Sequence, residues 1–211
     1  LTNIAHEANL CDELVNITTA SGQTVTEKRY TCNGVVDLSE KPKSVEDSLL
    51  MCCAGQWIFS GGTYYFAVGA YRGPAVTTIT ESDLKGTVGR NASTPLEDRC
   101  NAVTSTFISK ALYYQKTDST PIKSNFYYNN RDKKRYLEHD RTFNFVQTDT
   151  HAQRLNRQYM EYLAAGDTLS VPVGWVGLKC PRGTTVYVNL PGKTIVGKEY
   201  EVIDNQYDIV N

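Results

Sequence analysis

The chain has 211 residues, of which 40% are hydrophobic and 21% are charged, and its formal net charge is −1. This composition is that of an ordinary globular protein with one large domain or two small ones. A nearly neutral chain lacks the bulk positive charge that favours binding to nucleic acids or anionic membranes.

The chain shows no membrane-spanning or targeting segment. No apolar run approaches the roughly 20 residues that cross a bilayer. His6, Glu7 and Asp12 interrupt the opening segment, which therefore lacks the apolar core of a signal peptide. The chain begins with Leu1 rather than methionine, which fits an excised fragment of a longer polypeptide and equally a processed chain; we expect a fragment.

A helix is predicted over about residues 3–15. Apolar residues recur there at the spacing of one helical face: Ile4, Ala8, Cys11 and Val15. The polar segment 16–23 contains Ser21-Gly22 and is predicted to be a loop. A strand over 26–32 follows, and it ends at the turn signal Asn33-Gly34.

A second helix is predicted over about residues 44–54. Pro42 precedes it, Ser44 is placed to cap it, and Asp47 lies in its first turn, where negative charge is favoured. Gly55 supplies the stop. The apolar face consists of Val45, Leu49, Cys52 and Cys53.

A β-hairpin is predicted next, from two runs over 57–60 and 63–68 joined at Gly61-Gly62. Residues 75–79 are predicted to form a strand, and 81–84 a short helical or turn segment. Residues 86–94 are polar and contain glycine. They indicate a boundary between subdomains over 1–90 and 91–211.

The second half is predicted to contain one helix among strands. Strands are expected over 102–109 and 142–146, with a polar loop over 116–124 between them. The helix over about 150–164 begins with Thr150 and Gln153 as a capping box and ends at Gly166. Its predicted apolar face is Ala152, Leu155, Tyr159, Tyr162 and Leu163. Strands over 168–173, 184–190 and 199–203 complete an α+β fold with more strand than helix.

Six cysteines are present without a CxxC pair or a zinc-type spacing. Buried free thiols in a reducing compartment are the favoured interpretation, and disulfides or metal contacts are the alternative. Cys52 and Cys53 lie near a helix C-terminus, where the helix dipole raises a thiol pKa. They are therefore predicted to be packing residues rather than nucleophiles.

The histidines and a glycine motif yield no catalytic group. His139 lies in the charged run 138–141 and is predicted to face solvent, because the side chains of neighbouring residues diverge; His6 and His151 fall in or near helices. Gly192-Lys193-Thr194 resembles the end of a phosphate-binding loop, but Tyr187 occupies the position of its first glycine.

A basic cluster accompanied by tyrosines lies within residues 127–136. Acidic residues interrupt it, so a solvated loop or a protein contact is favoured over single-stranded nucleic acid. The glycosylation triplets that start at Asn16 and Asn91 are ascribed to chance. We therefore predict no catalytic, cofactor-binding or metal-binding residues, and no cofactor.

A series of short motifs lies between Arg29 and Gly86. The segment 29–37 leads through Pro42 and a short helix to Gly55. The next motifs in order are Ser60-Gly61-Gly62, Gly69-Ala70-Tyr71-Arg72 and Thr80-Glu81-Ser82-Asp83-Leu84. This order resembles the central hub region of tail-tip attachment, or host-specificity, proteins of lambda-like long-tailed bacteriophages and prophages. The similarity continues in residues 100–109 and 150–155 and in this way covers nearly the whole chain.

The resemblance implies a baseplate-hub-like fold, with an α/β subdomain over 1–90 and a β-barrel-like subdomain over 91–211. It implies a structural, non-enzymatic role in tail assembly and host attachment. The partners would be further copies of the chain in a homotrimer, other tail proteins and, through other regions, the host surface; nucleic acid and membrane insertion are not expected. The location would be the virion tail, and the host bacterial cytoplasm during assembly.

Two alternative functions stay open. A carbohydrate- or receptor-binding module of the tail tip would need exposed Trp and Tyr side chains together. Trp57 and Trp175 are the available tryptophans, and Trp57 is predicted to be a core strand residue. A tail-associated cell-wall hydrolase would need an acid together with a metal or a nucleophile.

Overall fold

The computed structural model of the chain describes residues 2–18, 23–60, 62–92 and 94–206, and its mixed fold confirms the predicted α+β class. The chain forms two compact units. The larger unit consists of Leu1–Gln56 and Ala92–Asp167, and the smaller unit consists of Trp57–Asn91 and Thr168–Asn211. The chain passes from one unit to the other at 56–57, 91–92 and 167–168.

Helical and extended residues are almost equal, at 31% and 32%, so the predicted excess of strand is small. The helices are α1 (Thr2–Asp12), α2 (Pro42–Met51) and α3 (Asp149–Ala165). The strands are β1 (Leu14–Thr18), β2 (Thr24–Lys28), β3 (Gln56–Ser60), β4 (Thr63–Ala67), β5 (Thr78–Thr80), β6 (Gly89–Asn91), β7 (Ala102–Ser109), β8 (Gln115–Asp118), β9 (Ile122–Lys123), β10 (Glu138–Phe143), β11 (Thr168–Ser170), β12 (Thr185–Leu190) and β13 (Ile195–Glu201).

Strand β7 is central to the main sheet of the larger unit. β10 pairs with it in parallel, and β8 and β9 pair with it antiparallel. The alternating burial along β7 confirms the predicted strand and its bounds. Its buried face packs with α3, and the core around it contains Cys100, Val103, Phe107, Phe143, Leu155 and Met160.

Two sequence predictions at this sheet are wrong. Residues 116–124 contain β8 and β9 rather than only a loop, because their polar side chains are tolerated on strands with a solvent-facing side. β10 begins at Glu138, although a strand was predicted over 142–146. Glu138 and Asp140 point outward, whereas Arg141 is half-buried and Phe143 is buried. A half-exposed strand of this kind has the composition of a loop.

The predicted apolar face of α1 is wrong. Ile4 and Ala8 are exposed, whereas Glu7 is almost fully buried. The helix ends at Asp12, and the chain turns directly into β1, which pairs with β2. Residues 16–18 are thus extended rather than part of a loop, and the predicted Ser21-Gly22 turn lies outside the described residues.

Helix α2 is confirmed, but its ends differ from the prediction. It begins with Pro42 as its first residue, and among described contacts neither Ser44 nor the preceding Lys41 caps it through a side chain. Asp47 lies beyond the first turn and pairs with Lys43 at 3.0 Å. Ala54 takes the left-handed conformation at the C-terminus (φ 46°), and the N–H of Gly55 donates to Leu50 O at 2.8 Å.

Helix α3 is confirmed, whereas its predicted capping box is wrong. The cap is Thr148, whose hydroxyl accepts from the N–H of His151. Thr150 instead donates to the carboxylate of Glu27 on β2 at 3.0 Å. Gly166 ends the helix in the left-handed region, as predicted. The buried face contains His151, Ala152, Leu155, Asn156 and Met160, whereas Tyr162 is exposed.

Strand β12 is central to the smaller unit. β5 pairs with it in parallel, β13 antiparallel, and β6 pairs with β11. Its core consists of Ile79, Cys180, Val186, Val188, Leu190 and Ile195. The predicted hairpin is confirmed as β3 and β4, with Gly61 of its turn outside the described residues. None of the described sheets closes, which corrects the barrel-like arrangement expected for 91–211.

Candidate functional site

The basic cluster predicted at 127–136 is partly a structural element of the larger unit. Arg131 donates to the carboxylate of Asp132 from Nε and Nη2, both at 2.9 Å, and stacks over the ring of Tyr127 at 4.6 Å. Asp132 is buried and also accepts from the amide of Asn101 at 2.9 Å. Arg131 and Tyr127 are therefore engaged within the fold, which favours a structural role over nucleic-acid binding.

His139 lies on β10 and is half-buried rather than solvated. Its Nδ1 lies 3.3 Å from the hydroxyl of Tyr159 on α3. Asp140 is exposed on the opposite side of the strand, because successive side chains of a strand point to opposite faces. The side chains of the two neighbouring residues therefore point to opposite sides of β10.

A shallow depression of about 630 Å³ lies beside His139 in the larger unit. It is lined by Leu96, Glu97, Arg99, Tyr136, Leu137, Glu138 and His139. Arg99 is held by its own loop, with Nε donating to Thr94 O at 2.7 Å. The depression is lined by two carboxylates, Glu97 and Glu138, and one guanidinium, Arg99, so charges of both signs are mixed along it.

Four of the five thiols of the larger unit, in contrast, gather in one place. Cys11 lies in the last turn of α1, Cys32 follows β2, and Cys52 and Cys53 follow α2. Electrostatic interactions link Cys53 with Cys11 and Cys32. Cys52 acts on the pKa of Cys32, and its Sγ donates to Ser48 O at 3.4 Å. Cys32 is exposed and Cys11 is half-buried, which corrects the expectation of buried thiols at these two positions; the other four cysteines are buried. The sequence separations gave no signal for this cluster.

A buried histidine holds the backbone of the thiol cluster. His151, in the first turn of α3, donates from Nε2 to Cys52 O at 2.8 Å. Its Nδ1 has no hydrogen-bond partner among the described residues, so the ring is a neutral Nε2–H imidazole. Burial lowers the pKa of His151 to about 4, and the nearby Arg154 acts in the same direction.

The thiols of the cluster have divergent pKa values. Interaction with the Cys52 side chain lowers the pKa of Cys32 to about 7, while burial acts in the opposite direction. The same interaction, together with burial, raises the pKa of Cys52. Burial raises the pKa of Cys53 to about 12. The prediction that Cys52 and Cys53 are packing residues near a helix end agrees with their burial.

An exposed aromatic face lies on the β3–β4 hairpin of the smaller unit. Trp57 contacts Phe66 at a ring-centroid distance of 5.2 Å, and Phe59 contacts Tyr64 at 4.8 Å. These four residues, which we call the aromatic face, lie on one side of the hairpin because residues two apart in a strand share a side. Phe59 is 56% exposed and Tyr64 69% exposed.

The opposite side of the hairpin packs into the smaller unit. Ile58 is 5% exposed and Ala67 7% exposed. Ile58 packs closely on Gly183: a Cβ at residue 183 would lie 2.5 Å from Ile58 Cδ1. In the described part of the chain, β3 and β4 pair only with each other. The sequence predicted the hairpin but placed Trp57 in the core; aromatic residues at matched distances from the turn were the available signal.

The remaining sequence motifs bring no further groups together. Gly192 and Lys193 lie in a short 3-10 turn, where Gly192 N–H donates to Glu81 at 2.6 Å. Asn16 lies in β1 and Asn91 in β6, and Ser93 of the second triplet lies outside the described residues. Across the described ranges, no group of three or more His, Cys, Asp or Glu side chains is arranged to hold a metal ion. Within the same ranges, no helix has the length and apolarity to span a membrane.

Comparisons with known proteins give similarity to solved structures but no match in sequence. The chain matches no protein-family model and no curated protein sequence. Among solved structures it is similar to the prophage tail protein gp18 from Listeria monocytogenes EGD-e, with 10% sequence identity and a TM-score of 0.41. The similarity covers 94% of this chain and 64% of the length of that protein. A similarity of this size assigns neither a family nor a function to the chain.

Proposed function

We propose that this chain is a structural section of a bacteriophage or prophage tail, within the central hub of the tail tip, where it supports tail assembly and host attachment. The order of motifs between Arg29 and Gly86 supports the assignment to the hub. The aromatic face of the hairpin is the structural observation that carries the assembly role, because exposed aromatic clusters of this kind are typical of protein interfaces.

The aromatic face has the properties of a surface that another protomer covers. Aromatic side chains are enriched at interfaces and supply much of the binding free energy, since each ring removes a large apolar area from water. Ring contacts between Trp57 and Phe66, and between Phe59 and Tyr64, pre-order the four side chains, which reduces the entropy lost on binding. The outer edges of β3 and β4 supply backbone groups for an added strand.

The occupant that we propose for the aromatic face is a second copy of the same chain in a homotrimer. Other tail proteins would contact the hub elsewhere, and the host surface would be reached through other regions of the longer protein. The proposed location is the virion tail, with assembly in the host bacterial cytoplasm. We propose no enzymatic activity, no cofactor, and no contact with nucleic acid or membrane.

Carbohydrate binding is the second candidate function, and the aromatic face also favours it, because planar rings stack on the apolar faces of sugars. The two candidates differ in what covers Phe59 and Tyr64. A protomer contact would persist without sugars and would change the mass of the particle in solution. Sugar binding would leave the oligomeric state unchanged and would change the fluorescence of Trp57.

A complementation experiment tests the assembly role. The gene for the full-length protein is deleted, and particles are produced with the wild-type gene or with Phe59→Ser/Tyr64→Ser. We expect the variant to lower the yield of complete tails in electron micrographs and the trimer fraction in sedimentation. The matched control is Phe126→Ser/Tyr162→Ser, which removes one Phe and one Tyr of similar exposure, 67% and 64%, from the larger unit. Complete tails with the hairpin variant, or a strictly monomeric wild-type protein, would contradict the proposal.

A further inference from the structure

Arg141 is a half-buried cation that has no carboxylate partner within the described part of the chain. Its side chain leaves β10 on the same side as His139 and Phe143, because residues two apart in a strand share a side. Among the described residues its one hydrogen bond runs from Nη1 to Leu155 O, at 3.3 Å. Charged groups held away from water are normally paired, so an anion from outside the described residues would compensate this guanidinium.

Two aromatic rings lie against the guanidinium of Arg141. Its Cζ is 4.9 Å from the ring centroid of Phe143 and 4.5 Å from that of Tyr159 on α3. A guanidinium that stacks on rings still directs its N–H groups outward in its own plane, where they can donate to a ligand. Burial lowers the pKa of Arg141, and no carboxylate of the described residues acts on it. The N–H fork is therefore held in place and lacks an anionic acceptor among the described residues.

A second donor lies on the same tyrosine ring. Nδ1 of His139 is 3.3 Å from the Tyr159 hydroxyl, and the two ring centroids are 6.0 Å apart. A neutral imidazole with its proton on Nδ1 donates to the Tyr159 oxygen and leaves the hydroxyl proton for another acceptor. His139 thus orients a hydroxyl donor on the ring that also contacts Arg141.

The surroundings of these three side chains favour an anion. Arg141, His139 and Tyr159 are each half-buried, so solvent and small solutes reach them. The carboxylates of Glu138 and Asp140 point to the other side of β10 and do not compete for the guanidinium. Partial burial also strengthens the attraction between a cation and an anion, because less water screens it.

We propose that Arg141 and Tyr159, with His139 orienting the Tyr159 hydroxyl, form a binding site for a phosphate group, carried by inorganic phosphate or by a larger molecule. The guanidinium donates to two phosphate oxygens and the Tyr159 hydroxyl to a third. A phosphate group offers three acceptor oxygens that point in different directions, whereas the guanidinium alone satisfies both oxygens of a planar carboxylate. This inference is independent of the tail assignment.

NMR titration of the full chain tests the proposal. Inorganic phosphate, methyl phosphate and acetate are added in separate titrations at neutral pH, with sodium chloride keeping the ionic strength constant. We expect saturable shifts of the Arg141 Nε–H, His139 and Tyr159 side-chain signals with both phosphates, and about tenfold weaker binding of acetate, which lacks the third oxygen. Tighter binding of methyl phosphate would assign the group to a larger molecule, and tighter binding of inorganic phosphate would assign it to the free ion.

Two variants identify the donors. Arg141→Gln removes the guanidinium and should weaken phosphate binding about tenfold or more, with circular dichroism as the check that it is folded. Tyr159→Phe removes only the hydroxyl, keeps the ring against Arg141, and should weaken binding about threefold to tenfold. The matched control is Arg157→Gln, which removes an exposed arginine of the same helix that pairs with Glu161 at 3.1 Å. This control should bind phosphate as the wild type does.

Four outcomes would overturn the proposal. They are shifts that do not saturate, shifts confined to the basic cluster at 127–136, acetate binding as tight as that of phosphate, and equal losses of binding in Arg141→Gln and Arg157→Gln. Unchanged phosphate binding in Tyr159→Phe would also contradict it, because the hydroxyl would then be no donor to the ligand.

Discussion

The carboxylate of Asp132 accepts a hydrogen bond from the side-chain amide of Asn101 at 2.9 Å, and both side chains are almost completely buried. The amide also donates to Arg135 O, and Asn101 Oδ1 accepts from Leu137 N–H. One buried asparagine therefore satisfies the backbone of the turn before β10. The same carboxylate holds Arg131, so a part of the charged segment that resembles a loop in sequence is a fixed element of the larger unit.

Asp132→Ala is expected to destabilise the larger unit by about 2–4 kcal/mol, because it leaves the Asn101 amide and the Arg131 guanidinium without the carboxylate that they share. Urea unfolding followed by circular dichroism measures the change. Asp140→Ala removes an exposed carboxylate eight residues away on β10 and is the matched control, with a change within about 0.5 kcal/mol. Equal losses for the two variants would show that Asp132 is not a structural group.

The contribution of Asp132 is expected to depend on pH. Hydrogen bonds from Arg131 are the main cause that lowers its pKa below the ordinary value of 3.8, while burial acts in the opposite direction. Because the folded pKa lies below the unfolded one, the stabilisation is fully present above pH 3.8 and is lost as the pH falls through the folded pKa. The difference in unfolding free energy between wild type and Asp132→Asn should be constant above that pH and should shrink below it.

His151 is expected to make folding stability fall between pH 6.5 and 4. Burial lowers its folded pKa to about 4 from the ordinary 6.5, so in this window the unfolded state binds the extra proton. Stability from the neutral ring is fully present above pH 6.5 and decreases by about 3 kcal/mol as the pH falls through the window. NMR titration of the ring and unfolding at several pH values measure the effect.

The control for His151 is a second histidine. His151→Gln keeps a hydrogen-bond donor for Cys52 O, and the slope of its unfolding free energy against pH should fall by the contribution of about one proton. His6 lies on the exposed side of α1, so His6→Gln should keep the wild-type slope. A wild-type slope in His151→Gln would assign the pH dependence to other groups.

Elements with strong local signals were predictable from sequence. The alternation of β7, the glycine after α3 and the hairpin around residues 61–62 are each encoded by neighbouring residues. Side-chain partners far apart in sequence were not predictable. Thr148 and Thr150 are both acceptable helix caps, and the contact of Thr150 with Glu27, a residue 123 positions earlier, decides between them.

The two candidate sites, the aromatic face and the thiol cluster, also differ in how far the sequence could predict them. The aromatic face follows from period-2 spacing on both sides of a turn, so its residues could be selected from sequence once the hairpin was accepted. The thiol cluster joins residues from three segments, and no spacing rule connects Cys32 to Cys52. Glu7 shows a further limit, because the apolar stripe of α1 predicted that Ile4 and Ala8, rather than Glu7, would face the core.

Ala54→Gly is expected to stabilise the protein by about 0.5–1 kcal/mol. Ala54 has φ 46° at the end of α2, a conformation that glycine adopts without the steric cost of a Cβ. Ala8→Gly, at an exposed position inside α1, is the matched control and should lower stability by a similar amount. Thermal and urea unfolding measure both changes. A destabilised Ala54→Gly protein would show that the end of α2 is not strained at this residue.

The two sides of the hairpin are expected to differ in how much stability is lost when a side chain is truncated. Ile58→Ala should cost about 2–4 kcal/mol, because this side chain is 5% exposed and a cavity would form beside Gly183. Phe59→Ala, one residue further along β3, should change the stability of the isolated chain by less than about 1 kcal/mol, since it removes an exposed ring and one ring contact. Unfolding followed by the fluorescence of Trp57 and Trp175 reports on the smaller unit. A large loss of stability for Phe59→Ala would mean that its ring stabilises the fold itself and is not held available for a partner.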